Sequence, residues 1–248
     1  MYHKPLITAH RGFSGRFPEN TLRAVKEALR LGVDGIEVDV RVTRDGVVIL
    51  MHDETVERTT NGSGRVRDLT WSEIRRLDAG SWKGEEFRGE PVPRLDDVLA
   101  ETAGRIVLHI EVKEQGGEVA ALRIIRECGA IDWVLITSFH PEVIKNAYSL
   151  EPGVGRSLIV GWLRGATDVK PGLLVHWALA CGANALALYH GHVSEEVVSY
   201  AHKRLLLIGV WTVNEVEEAV RLARMGVDSI TTDYPDIMLN YMKGRRIT

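Results

Sequence analysis

The sequence predicts an α/β fold, a (β/α)8 TIM barrel with a small insertion after the first β-hairpin at the barrel mouth. Three observations carry this. Short runs rich in Ile, Val and Leu alternate with helix-length amphipathic segments. There are eight such runs, which favours closure over an open sheet. The joint between helix and strand recurs: Leu31-Gly32-Val33-Asp34-Gly35, Cys181-Gly182-Ala183-Asn184-Ala185 and Met225-Gly226-Val227-Asp228-Ser229 read alike. Each is a helix end, a glycine, a small residue, Asp or Asn, then a strand.

The expected strands are Leu6–His10, Gly35–Asp39, Arg105–Val112, Val134–Ser138, Arg156–Val160, Ala185–Tyr189, Leu206–Thr212 and Ser229–Thr232. They read as mostly apolar on both faces, as parallel strands under helices should. Helices are expected over Thr21–Leu31, Asp96–Glu101, Glu118–Cys128, Pro141–Ser149, Gly172–Cys181, Glu195–Lys203, Glu215–Met225 and Pro235–Met242. Asp45-Gly46, between two β-rich runs, predicts a hairpin with a two-residue type I′ turn. That register pairs Arg44 with Val47 and, counting outward, Asp39 with His52. From about 53 to 94 the chain is polar and rich in glycine. This stretch reads as an insertion into one domain spanning 1–248, because it holds too few apolar residues for a core of its own.

Composition narrows the function. Hydrophobic residues make up 45% and charged residues 26%, as in ordinary soluble proteins. A net charge of −3 supplies no basic excess for nucleic acid. No apolar run is long enough to span a bilayer, and Met1–Pro5 followed by Leu6-Ile7 is no signal peptide. Two distant cysteines, Cys128 and Cys181, are expected to be buried thiols in a reducing, cytoplasmic setting. The basic residues near the end, Lys243, Arg245 and Arg246, read as a solvated tail.

Catalytic side chains in such a barrel come from the C-terminal ends of strands. Those ends hold His10-Arg11, Glu37-x-Asp39, Glu111-x-Lys113, Ser138-Phe139-His140, Trp211 and Asp233. Period two sends Glu37 and Asp39 to one face, and likewise His109, Glu111 and Lys113. Bare acids in a barrel interior are costly, and one divalent cation relieves the cost. Carboxylates without a cysteine cluster suit Mg²⁺, Ca²⁺ or Mn²⁺ better than zinc. Arg11 and Lys113 suit phosphate oxygens, and His10 and His52 can move protons near neutral pH. The set suits displacement at phosphorus, and no P-loop is present. His109, two residues deeper than Glu111, reads as a hydrogen-bonded core histidine, and the remaining histidines as surface or packing residues.

The ordered motifs His10-Arg11-Gly12, Pro18-Glu19-Asn20-Thr21-Leu22, Gly35-Ile36-Glu37-Val38-Asp39-Val40, Thr43-Arg44-Asp45-Gly46 and Val47 to Asp53 resemble the glycerophosphodiester phosphodiesterase family. The likeness continues through Arg58-Thr59-Thr60, Pro93-Arg94-Leu95, Ile110-Glu111-Val112-Lys113, Val210 to Asn214 and Thr232-Asp233-Tyr234-Pro235. Arg94 and Arg44 depart from the family's usual residues, and Arg156 to Asn184 carries little of its signature. The resemblance implies hydrolysis of glycerophosphodiesters, as small-molecule substrates, to sn-glycerol 3-phosphate and an alcohol. It implies a divalent metal on Glu37, Asp39 and Glu111, and His10 and His52 as an acid–base pair. Arg11 and Lys113 would hold the phosphate, Trp211 would line the glycerol side, and Glu19 and Asn20 would brace the mouth. Two rivals stand beside it. One is a lysophospholipase D or phospholipase C-like enzyme, with Trp71, Trp82 and Phe87 as part of an apolar rim or as the insertion's own packing. The other is a non-catalytic glycerol-phosphate-binding protein.

Overall fold

In a computed structural model, which describes residues 4–161 and 170–244, eight parallel strands close into a barrel wrapped by helices. His3, Arg245 and Arg246 lie outside the described residues, as does part of the Arg156–Asn184 stretch. The order of elements is β1 (Leu6–Ala9), α1 (Leu22–Leu31), β2 (Gly35–Val42), β3 (Val48–Leu50), α2 (Trp71–Ile74), α3 (Leu95–Thr102), β4 (Val107–Val112) and α4 (Gly117–Glu127). There follow β5 (Val134–Ser138), α5 (Pro141–Leu150), β6 (Gly155–Val160), α6 (Pro171–Ala180), β7 (Ala185–Tyr189), α7 (Glu195–His202), β8 (Leu207–Trp211), α8 (Val216–Met225), β9 (Ser229–Thr232) and α9 (Pro235–Gly244). The ring runs β1-β2-β4-β5-β6-β7-β8-β9 and returns to β1, with β3 hung antiparallel on β2. No helix of the described residues is long and apolar enough to cross a membrane.

Each helix begins and ends for a local reason. Thr21 caps α1 by accepting from the Ala24 amide at 3.2 Å. Gly32 and Gly226 close α1 and α8 in the left-handed conformation, φ 70° and 87°, which costs glycine little. The large aliphatic residues of the strands, such as Ile36, Val38, Leu108, Ile110, Ile136, Leu186 and Ile208, are buried in one core with the helices. The alternate residues face the barrel axis and differ in kind. They include Thr8, Glu37, His109, Glu111, Thr137 and Ser157 alongside the apolar Leu135, Ile159, Ala185 and Ala187, so the expectation of mostly apolar faces fails on the inner side of β2 and β4. That inner polar column is what makes a site possible at the mouth.

The hairpin departs from its expected register. Pairs run Val42 with Val48, Arg41 with Ile49 and Val40 with Leu50, and the Thr43 amide donates to the Val47 carbonyl at 2.9 Å. The loop therefore has three residues, 44–46, and Asp39 stands opposite Met51 rather than His52. A type I′ turn needs positive φ at two successive residues. Here only Gly46 has it, φ 81°. The Asp45 carboxylate instead accepts from Thr43 Oγ1 at 2.7 Å and from the Trp71 amide at 2.9 Å.

Two further expectations are corrected. The stretch after β3 does own a small cluster: Ile49, Met51, Val56, Val66, Ile74, Ala79 and Val92 are buried together. β3 contributes the face of Ile49 and Met51 that the barrel core leaves free. Cys128, expected to be buried, is exposed at the end of α4, past the last turn that faces the core, whereas Cys181 is buried.

Candidate active site

The loop leaving β1 carries the first part of the site. Arg11 and Gly12 both take left-handed backbone, φ 53° and 75°. A Cβ on Gly12 would lie 2.7 Å from the Ala24 carbonyl carbon and 2.8 Å from its Cβ. Glycine is therefore required for the loop to pass against α1. The bend delivers the Arg11 amide to Glu37 Oε2 at 3.0 Å and the His10 ring to Asp233 at the end of β9. His10 Nδ1 lies 2.7 Å from Asp233 Oδ1. Asp233 also accepts from Ser14 Oγ at 2.9 Å and Asn214 Nδ2 at 2.7 Å.

Glu37, Asp39 and Glu111 bring ligand-capable oxygens within 4.8 Å of one another. All three residues are buried. Glu37 Oε1 and Asp39 Oδ1 make no hydrogen bond, and Asp39 Oδ1 lies 3.3 Å from Lys113 Nζ. Burial, then repulsion from Asp39, pushes the Glu37 carboxyl up to about 8. Burial raises Glu111 too, with Asp39 again adding to it. Asp39 goes the other way: burial opposes ionisation, but the Arg11 and Lys113 cations outweigh it and hold the group at about 2. Buried acids with orphaned oxygens form a site short of positive charge, and a divalent cation fits it.

The cations stand around this trio. Lys113 Nζ is 2.5 Å from Glu111 Oε1, and Arg11 Nε is 3.1 Å from Asp39 Oδ2. Arg11 Nη1 donates to Glu19 Oε1 at 2.8 Å. Glu19 is in turn held by Arg58 at 2.8 and 2.9 Å. Asn20 spends both ends of its amide on Asp39, donating to Oδ2 at 2.8 Å and accepting from its backbone amide at 3.0 Å. Glu19 and Asn20 thus brace Arg11 and Asp39.

His52 reaches the mouth although the register does not pair it with Asp39. The chain leaves the ladder after Met51, whose amide donates to the Asp39 carbonyl at 3.0 Å, and the Arg41 guanidinium grips the His52 carbonyl at 3.1 and 3.0 Å. Its ring Nδ1 lies 2.6 Å from Asp53 Oδ1, and Arg58 Nε is 2.5 Å from Asp53 Oδ2. A carboxylate beside Nδ1 makes that nitrogen the donor, so each imidazole presents Nε2 to the mouth. His10 Nε2 is 3.9 Å from Glu37 Oε2. Burial would lower the His10 pKa, but the Asp233 hydrogen bond and the Glu37 charge raise it above the usual value. Burial lowers that of His52 despite Asp39.

Trp211, at the end of β8, faces β4 across the ring. It packs edge-on to Phe139, 5.4 Å between ring centres, and its Nε1 donates to the Ala187 carbonyl at 3.2 Å. His109 is inside the barrel beside Gly35 and makes no hydrogen bond among the described residues, unlike the bonded histidine expected. Burial holds it neutral, with a pKa of about 4. In the insertion, Phe87 packs on Phe17, Trp82 donates to the Ala79 carbonyl and Trp71 backs the small cluster. These contacts are packing of the insertion and its seat on the barrel. Asn214, Asp53 and Arg58 are partners that the sequence reading left out of the site, and Asp233, counted among the strand ends, was given no role in it. The signal was present, since Asp53 follows His52 and Asp233 ends the last strand.

Comparison with known proteins agrees with this geometry. Residues 10–237 match the model of the glycerophosphoryl diester phosphodiesterase family. The chain is 37% identical over 246 residues to a glycerophosphodiester phosphodiesterase of Caldanaerobacter subterraneus subsp. tengcongensis, covering 97% of this chain and 98% of that one. A crystal structure of a glycerophosphodiester phosphodiesterase from Agrobacterium tumefaciens superposes with a TM-score of 0.83 at 33% identity, covering 96% and 100% of the two chains. An Oleispira antarctica phosphodiesterase, solved with its product sn-glycerol-3-phosphate, superposes with a TM-score of 0.87 at 28% identity over 96% and 97%. With matched motifs, the same barrel and full-length relatives, the chain belongs to the glycerophosphoryl diester phosphodiesterase family of enzymes.

Proposed function

We propose that the enzyme hydrolyses glycerophosphodiesters to sn-glycerol 3-phosphate and an alcohol, using a histidine pair and a divalent cation. The observation that carries this is a pair of carboxylate-backed imidazoles, His10–Asp233 and His52–Asp53, beside three buried acids, of which Glu37 Oε1 and Asp39 Oδ1 make no hydrogen bond. Glu37, Asp39 and Glu111 would hold the cation, Mg²⁺, Ca²⁺ or Mn²⁺. When bound there, it supplies positive charge to the phosphate oxygens and polarises the P–O bonds.

The protein groups do the rest. Arg11 and Lys113, each beside Asp39, present cations to the phosphate and keep it in register. One imidazole takes the proton from the attacking oxygen at its Nε2. The other gives a proton to the alcohol oxygen as the P–O bond to it breaks. Asp233 and Asp53 hold the rings and stabilise whichever form is protonated. Trp211 would lie along the glycerol. The attacking oxygen belongs to water or to the glycerol 2-hydroxyl, and a cyclic phosphate among the products distinguishes the two routes.

The test is hydrolysis of glycerophosphocholine with each cation added in turn, and again after chelation. His10→Ala and His52→Ala should each lower kcat by about 10²-fold or more. Near wild-type rates in both variants would refute the assignment. Lysophosphatidylcholine as the better substrate would favour a lipid-directed enzyme, and tight binding without product a binding protein.

A further inference from the structure

A second cavity adjoins the site. It has a volume of about 320 Å³ and lies between the insertion and the C-terminal ends of β2 and β4. That is within the size range of small-molecule sites. Lys113 belongs to both spaces: its ammonium reaches Asp39 and Glu111, and its side chain forms part of the cavity wall.

The wall is cationic. Arg41, Arg65, Arg67 and Lys113 line it, against the two acids Glu54 and Glu114. This runs against the chain's net charge of −3. Arg41 is accounted for by the His52 carbonyl and by Glu114 Oε2 at 3.6 Å. Arg65 and Arg67 are different. Both are exposed, and neither makes an ion pair with a described residue. They are nonetheless well placed. Val66 between them is buried in the insertion's cluster, its amide donates to the Glu54 carbonyl at 2.9 Å, and Arg65 bridges to Thr55. An anchored valine thus holds two free guanidinium groups over the cavity.

Topology assigns the space a role. β8 and β4 lie opposite each other in the ring, and the Phe139 ring stands between Trp211, 5.4 Å away centre to centre, and Lys113 Nζ, 5.8 Å from its centre. If glycerol lies along Trp211, the alcohol on the other ester oxygen leaves on the Lys113 side, toward the cavity. We infer that this cavity receives the leaving alcohol and selects substrates whose alcohol carries a second phosphate. Two unpaired guanidinium forks suit phosphate oxygens better than they suit a neutral or quaternary ammonium alcohol. The same charges speed capture of a polyanion. The inference rests on the phosphodiesterase reading above and deepens it by naming the substrate class.

The experiment compares steady-state rates, with divalent cation present, on 1,3-bis(glycero-3-phospho)glycerol, glycerophosphoserine and glycerophosphocholine. The wild-type protein should favour the first over the last in kcat/KM by about tenfold or more at low salt. In R65A/R67A that ratio should fall about tenfold, through KM rather than kcat, and R65K/R67K should keep part of it. Raising the salt should erode the preference in wild type and leave the double alanine variant little changed. An unmoved ratio in R65A/R67A, with glycerophosphocholine still turned over, overturns the inference alone. Equal preference for glycerophosphoserine overturns the assignment of phosphate. No turnover of any of the three by wild type overturns the phosphodiesterase reading beneath it.

Discussion

Cation binding to Glu37, Asp39 and Glu111 should expel a proton, and the structure sets how much. Glu37 is pushed up to about 8 by burial and by Asp39, whereas Asp39 is held at about 2 and is ionised throughout the working range. A ligand carboxylate must be deprotonated, so a raised Glu37 competes with the ion for the same oxygens. At pH 7, one unit below, about nine in ten Glu37 groups carry a proton in the ion-free protein. Binding then releases close to one proton and is weaker, on the order of 1 kcal/mol, than at the alkaline limit. Apparent affinity should rise about tenfold per pH unit from 6 toward 8 and flatten above it. Glu111, raised for the same reasons, adds in the same direction. Calorimetric titration with Ca²⁺ or Mn²⁺ in buffers of different ionisation enthalpy counts the protons directly. In Glu37→Gln the proton count at pH 7 should fall, leaving only the share from Glu111. An affinity flat between pH 6 and 8, or a proton count near zero at pH 7, would refute the reasoning.

Gly12→Ala should destabilise the fold by about 2 kcal/mol or more, because it meets both a positive φ and the Ala24 backbone; a denaturant midpoint within error of wild type refutes this. Asp233→Asn should lower kcat on the order of 10²- to 10⁴-fold with KM little moved, since an amide no longer holds the His10 Nδ1 proton; steady-state kinetics checks it. His109, depressed to about 4, binds its proton in the unfolded chain before the folded one. Its contribution is therefore lost as pH falls from about 6.5 to about 4, up to about 3 kcal/mol. His109→Leu should lose correspondingly less stability than wild type between pH 7 and pH 4, measured by urea unfolding.

How far the sequence reveals the site depends on which interaction places each residue. The barrel strands were legible because period and glycine stops are local, and Glu37, Asp39 and Glu111 follow from strand period alone. The hairpin was misjudged by one residue. Asp45-Gly46 names a turn, but the loop length was decided by the Asp45 carboxylate reaching Thr43 and Trp71, the latter a partner 26 residues on. The insertion's cluster was missed for a related reason. Its apolar residues are sparse along the chain and become a core only beside the outward face of β3.

The expected neighbours of His52 came out partly right by a different physical route. A slip of one position in an antiparallel pair sends every side chain to the opposite face. His52 escapes that consequence because it lies beyond β3, where its position is set by Arg41 on its carbonyl and Asp53 on its ring. Arg58 then ties Asp53 to Glu19, and Glu19 holds Arg11. One chain of charges thus joins the His52 ring to the Arg11 guanidinium, and through Arg11 Nε to Asp39 among the buried acids. Neither ring is oriented by strand pairing alone, although the His10 amide extends the β1–β9 ladder by donating to the Thr232 carbonyl at 2.9 Å. Each is placed by a carboxylate, His10 by one 223 residues away and His52 by its immediate neighbour. The geometry of the candidate site is a property of these second partners, which is why the residue types could be named from the sequence while the contacts that orient them could not.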